Sequence, residues 1–504
     1  MFSTADWIVL IIYLVGITLL GSSFAKGQKS LRDYLKGGKQ APWWAVSFAI
    51  ITTETSALTF IGVPSICYFG NMAFIQIVIG YVIARVLIAL IILPTYYKQD
   101  ITSPYEVLGL RIGGTTKNTA GVIFFITGVL GAGVRLFATA IPLSVIIPSL
   151  SITNSIIIIG VFTIIYTMLG GIKGVIWTEV AQFLIFFLGG LFAFFYIPFL
   201  VEGGWSETLK IAFDGGKLHW FNFGTTTSAP FIQLEAPYTF LMGVFGATFL
   251  TMASHGTDQL MVQLLLTCHN LRESQKAIIG SAVLILPVFL MFLFIGAWMF
   301  AFYENPANAT DLSIMTKNDQ IFPIFIVYRM PVILRGILIS GLFATAMSSL
   351  SSAMAALSSI AINDFYKPYI RPKAEERHYL KASRGFMIFW GLALITVAFL
   401  SQNVKYVLEA GLTVAALSWG SLLGAMLLAI FVKRGHPIAV AIAMIAAFAT
   451  IVTLWSSKAP VYWPWYVTIG TIITFFGGLL LSLLFRRLFP PARPAGTEGE
   501  SSNP

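Results

Sequence analysis

Apolar runs, each about as long as a bilayer is thick, follow one another from end to end of this chain. We read them near residues 6–24, 42–66, 72–97, 118–146, 150–170, 175–200, 238–268, 276–302, 335–362, 383–401, 403–432, 436–456 and 462–485. About 20 apolar residues cross a membrane as a helix, and runs this long and this many exceed what a soluble core can bury. Strand alternation is absent, which argues against a β-barrel. The chain is therefore expected to be an all-α polytopic membrane protein of about 13 transmembrane helices. Composition agrees: 10% of the 504 residues are charged, against roughly 25% in soluble domains.

The net charge of +10 would suggest nucleic acid in a soluble chain. Here the charge follows the membrane instead. With the first connecting loop (Lys26, Lys29, Arg32, Lys36, Lys39) assigned to the cytoplasm, 22 Lys and Arg fall inside and 7 outside. That positive-inside bias places the amino terminus outside and the tail in the cytoplasm. The first run lacks a basic flank and reads as a true span rather than a cleaved signal. Residues 1–489 read as a single transmembrane domain and 490–504 as a disordered cytoplasmic tail. Cys67 and Cys268 suggest neither a disulfide framework nor a metal site.

Two five-helix units of opposite orientation fit the spans, one over about 42–200 and one over about 238–433. Each opens on a helix interrupted by polar residues: Thr52, Thr53, Glu54, Thr55 and Ser56 in the first, Ser254, His255, Gly256, Thr257, Asp258 and Gln259 in the second. Paired interrupted helices point to a transporter binding site. For His255 and Asp258 an inner-gate or helix-break role stands beside a structural pair. Residues 341–352, GLFATAMSSLSS, place Thr345, Ser348, Ser349, Ser351 and Ser352 at spacings that share helical faces. Such hydroxyls gain nothing from lipid; they suit a small hard cation held out of water.

The stretches YTMLGGIKGVIWTEVAQF (166–183), GLFATAMSSLSSAMAALSSIAINDFY (341–366), ITSPYEVLGLR (101–111) and TDQ with downstream VQLLL (257–266) resemble the sodium:solute symporter family over nearly the whole chain. The resemblance implies a LeuT-type fold of two inverted five-helix repeats, with one extra helix before and two after. It also implies a sodium ion held by main-chain carbonyls of Thr52, Thr55 and Thr345 and hydroxyls of Ser348 and Ser349. A second sodium site, found in some members, would use Ser348, Ser351, Ser352 and the acid of the WT-acid motif. That acid is Glu179, where the family usually has Asp; the extra methylene leaves its reach to the serines open. A position beside Lys173 at the interface is the alternative reading of Glu179.

Glu54, Arg85 and Arg135 fall near the middle of the membrane, where charge is costly unless paired or wetted. The resemblance implies that Arg135 meets a substrate carboxylate; a Glu54–Arg135 or Glu54–Arg85 ion pair is the competing reading. Glu54, Ser56, Thr59, Phe74 and Gln76 are the further candidate substrate residues. Together these features describe a sodium-coupled symporter in the cell membrane, with a monomeric functional unit. Its partners would be sodium, a small organic solute and the bilayer. The solute is either carboxylate-bearing, sialic acid-like, or a sugar or amino acid taken by a neutral pocket. Proton coupling through Glu54 is a further alternative, and an ion channel would need charged rings that the sequence lacks. No catalytic motif marks an enzyme.

Overall fold

The computed structural model describes residues 3–27, 30–55, 57–147, 149–224, 234, 236–315, 317–401, 407–432 and 435–488. Lipid offers the backbone no hydrogen bonds, so each apolar run must satisfy its own amides, and among the described residues each does so as helix. The order is α1 (Thr4–Ser23), α2 (Trp43–Glu54), α3 (Ala57–Phe69), α4 (Met72–Gln99), a short α5 (Pro104–Arg111), α6 (Gly114–Ile146) and α7 (Ile152–Phe199). Then come α8 (Ala247–Gly256), α9 (Gln259–Leu265), α10 (Leu271–Tyr303), α11 (Leu334–Ile360), α12 (Glu376–Leu400), α13 (Val407–Phe431), α14 (Pro437–Ser456) and α15 (Pro464–Leu488).

Ten of the described helices are long and apolar enough to cross a membrane, or eleven if the bent pair α2–α3 counts as one span. The 48-residue α7 is far longer than the ~20 residues that one crossing needs. It breaks at Gly171, whose φ of 54° and ψ of −158° suit a residue without Cβ. That break falls between the expected spans 150–170 and 175–200. The expected tail 490–504 lies outside the described residues.

Of the transmembrane helices, α11 is the one most completely enclosed, packed among α7, α6, α12 and α1. The leading helix α1 is tied to it by Asp6, fully buried, which takes Nε and Nη2 of Arg335 at 2.9 and 2.6 Å. Its other oxygen accepts the Ile333 and Gly336 amides at 3.0 and 3.2 Å, capping the start of α11. Across the molecule, α4 crosses the π-helical turn Met242–Gly246 that leads into α8. A Cβ on Gly80 would lie 2.0 Å from the Gly243 carbonyl oxygen, so only glycine permits this approach.

Candidate functional site

α2 and α3 are bent by 61° relative to each other. Thr55 has left helical geometry (φ −78°, ψ 77°), although its amide still bonds the Ile51 carbonyl at 2.7 Å. Carbonyls in the last turn of a helix have no donor from a following turn, so the end of α2 offers backbone oxygens to the protein interior. In the second half the same device recurs, with α8 ending at Gly256 and α9 resuming at Gln259. Asp258 caps α9 through the Leu260 amide at 2.9 Å.

The end of α2 meets the serine-rich middle of α11 directly, Thr53 Oγ1 lying 3.2 Å from Ser352 Oγ. Of the expected sodium ligands, Thr52 and Thr345 spend their hydroxyls on helix carbonyls, of Phe48 at 2.7 Å and Leu342 at 2.9 Å. The hydroxyls of Thr55 and Ser349 are enclosed and have no hydrogen-bond partner among the described residues. Leaving such a group unsatisfied costs about 1–3 kcal/mol, which is a reason to expect a ligand there.

Glu179 is fully buried on α7. Its Oε1 accepts from Ser352 Oγ at 2.5 Å, Thr53 Oγ1 at 2.8 Å and Ser348 Oγ at 3.2 Å, whereas Oε2 has no partner. Among the described residues no Lys, Arg or His pairs with it. The extra methylene therefore reaches the serines, and the reading that set Glu179 beside Lys173 is corrected. Lys173 instead bonds Gln40 at 3.0 Å. Ser351 makes no hydrogen bond to Glu179 among the described residues; it donates to the Ser348 carbonyl at 3.0 Å, which leaves the lone pairs of its oxygen unspent.

The mid-membrane charges also sort themselves. Glu54 pairs with Arg85, not Arg135. Arg85 is fully buried, and its Nε also donates to Ser281 Oγ at 3.1 Å. His255 Nε2 stands 3.5 Å from the same Glu54 oxygen. His255 and Asp258 do not pair with each other in an ion pair; Asp258 accepts from the Trp419 indole at 2.8 Å. Arg135 is half-buried, and among the described residues only its Nε is engaged, with the Gly131 carbonyl of its own helix at 3.2 Å.

Gln76 spends its NH2 group on the Tyr238 carbonyl at 2.7 Å, while its amide oxygen is buried without a partner among the described residues. Phe74 stacks on Phe289 with ring centroids 5.6 Å apart, a wall rather than a contact point. Thr59 is half-buried near the start of α3. Ser56 lies outside the described residues. Thr53 and Trp419 were not expected at the site. Thr53 stands in the same polar interruption as its neighbours, a usable signal, but Trp419 in an apolar run reads as ordinary core.

Broken helices at matching places in two halves, around buried oxygens and an unpaired arginine, define a secondary transporter of the inverted-repeat class. The sodium:solute symporter family model matches residues 34–447, and the chain belongs to that family. It is similar to the sodium/sialic acid symporter NanT of Aliivibrio fischeri, 28% identical over 96% of this chain and 94% of that one. It is similar at 28% to the symporter SiaT of Proteus mirabilis, covering 96% of each. Human sodium-coupled monocarboxylate transporter 1 is also 28% identical, over 89% of this chain and 72% of that protein. Among solved structures, a substrate-bound, outward-open sodium-coupled sialic acid symporter superposes with a TM-score of 0.86 at 26% identity, covering 96% and 99% of the two chains. The protein is a sodium-coupled symporter of a small organic solute.

Proposed function

We propose that the solute is a small organic acid, such as a carboxylate-bearing sugar acid, and that Arg135 takes its carboxylate. The observation that carries this reading is the guanidinium of Arg135. It is half-buried within the bundle, its terminal nitrogens make no hydrogen bond among the described residues, and no acid pairs with it. Guanidinium is planar, always charged and bidentate toward carboxylates. The relatives' names, sialic acid and monocarboxylate symporters, support the same class.

Sodium then occupies two places. One lies among the carbonyls of Thr52, Thr55 and Thr345 and the hydroxyls of Ser348 and Ser349, supported by the two orphan hydroxyls there. The other lies at Glu179 with Ser348, Ser352 and Thr53, where a buried carboxylate lacks a cation. Two sodium ions with one monoanion carry one net charge inward, so a membrane potential drives uptake by about 2.3 kcal/mol per 100 mV. The inverted repeats over about 42–200 and 238–433 would exchange access around this point. The amino terminus faces outward, the tail faces the cytoplasm, and one chain suffices for transport.

The reading is tested on purified protein by thermal shift against carboxylates, neutral sugars and amino acids, in sodium or potassium. A carboxylate should stabilise the protein in sodium alone, and Arg135→Ala should remove the effect. Equal stabilisation of that variant, or by neutral sugars, would contradict it.

A further inference from the structure

The Glu54–Arg85 pair occupies only one edge of the Glu54 carboxylate. Oε2 takes Arg85 Nη2 and lies 3.5 Å from His255 Nε2. His255 Nδ1 is in turn 2.8 Å from Ser254 Oγ, and Arg85 Nε is fixed by Ser281. The carboxylate is thus held from behind by Arg85, which is itself fixed by Ser281 and lies with Nη2 3.3 Å from His255 Nε2. Oε1 has no donor among the described residues. The Glu54 side chain keeps 13% of its surface accessible while Arg85 has none. Because α2 is enclosed by α7, α9, α10 and α11, accessible surface at its end belongs to the interior of the bundle rather than to lipid. The accessible part of the Glu54 side chain therefore lies inside the bundle, at the broken end of α2, and Oε1 is the oxygen of that carboxylate with no donor among the described residues.

An ionised, oriented oxygen with no internal donor is an acceptor awaiting a donor. Arg85 cancels its charge, so an incoming anion is not repelled in full, yet the lone pairs of Oε1 remain. We propose that Glu54 is a specificity-determining residue, whose Oε1 accepts a hydrogen bond from a hydroxyl or ammonium group of the substrate. The inference rests on the organic-acid reading and deepens it: the cargo is an acid that also bears a donor, not a simple aliphatic carboxylate. A site built to bond such a group rejects the analogue lacking it, because Oε1 would then be dehydrated without a partner.

The test uses matched probes on the full-length purified protein, by thermal shift and competition in sodium: L-lactate against propionate, and L-proline against cyclopentanecarboxylate. Donor-bearing acids should bind at least about tenfold more tightly than their partners, as expected for one charge-assisted hydrogen bond. Glu54→Ala should erase that ratio; because it also strips Arg85 of its partner, the ratio of the two members within the variant is the readout, not the affinity of either one. Glu54→Gln keeps the shape and a bond to Arg85 should Ala fail to fold. With Gln, a hydroxyl donor should retain its preference within a few-fold, whereas an ammonium donor should lose it. Equal binding of the two members of each pair in the unaltered protein, or an unchanged ratio in both variants, overturns the proposal. Preference that persists when choline replaces sodium would instead contradict the sodium-dependent reading and leave the role of Glu54 intact.

Discussion

Ser352 on α11 donates to Glu179 on α7 at 2.5 Å, joining the most enclosed helix to the one that carries the acid. Thr53, at the broken end of α2, donates to the same oxygen at 2.8 Å. Three helices therefore converge on one carboxylate that has no cationic side chain beside it. A lone buried carboxylate is costly unless a cation joins it. Glu179→Gln is expected to remove one of two sodium ions. Sodium activation of uptake should lose its cooperativity, and transport of a monoanion should cease to respond to an imposed potassium-diffusion potential. An unchanged activation curve and unchanged voltage response would take Glu179 out of the ion path.

Ser349 tests the other site without touching this one. Its enclosed hydroxyl has no partner, so Ser349→Ala removes no internal bond and should fold normally. The sodium concentration for half-maximal uptake should rise about tenfold, equivalent to about 1.4 kcal/mol of lost binding. Tracer uptake against a sodium series is the readout, with unchanged thermal stability as the control.

The two mid-membrane arginines should separate cleanly. Arg85→Met leaves Glu54 without its partner, and breaking a buried pair costs about 3–5 kcal/mol. The yield of monodisperse protein in size-exclusion chromatography should fall sharply. Arg135→Lys breaks no ion pair, so yield should be preserved while affinity for the carboxylate falls, because an ammonium cannot supply the planar fork. A stable Arg85→Met protein with normal uptake would refute the division of roles.

Much of this was legible in the sequence because the membrane removes choices. Polar residues at 52–56 and 254–259, set in apolar runs, could only be breaks or buried contacts, and breaks are what the chain forms at both. What was not legible is partner choice. Glu54 could have reached Arg85 or Arg135, and only the relative rotation of α4 and α6 decides for Arg85. Whether Glu179 reached the serines depended on an approach between α7 and α11 that no spacing along one helix encodes. The direction of the Ser351 proton was not legible either: its hydroxyl donates back to its own helix, an option always open to serine in an apolar span. Trp419 gave no signal, since an indole that donates to Asp258 and one that merely packs have the same neighbours in sequence.

The glycine crossing offers a test of the fold apart from function. A Cβ at Gly243 would lie 2.2 Å from the Gln76 carbonyl oxygen, and backbone cannot yield there as a side-chain tip would. Gly80→Val and Gly243→Val should each prevent recovery of folded protein. Gly16→Ala, where nothing lies within 4 Å of the added Cβ, should be tolerated.

In the proposed mechanism sodium, held where the opposed helices meet, readies the neighbouring space for cargo; by linkage solute must then tighten sodium by the same factor. Proteoliposomes loaded without sodium and diluted into sodium-containing medium test this most directly, with labelled solute followed over time at fixed pH and voltage. Accumulation above the outside concentration is expected with an inward sodium gradient and should vanish when choline replaces sodium. Accumulation that is the same in choline would contradict it.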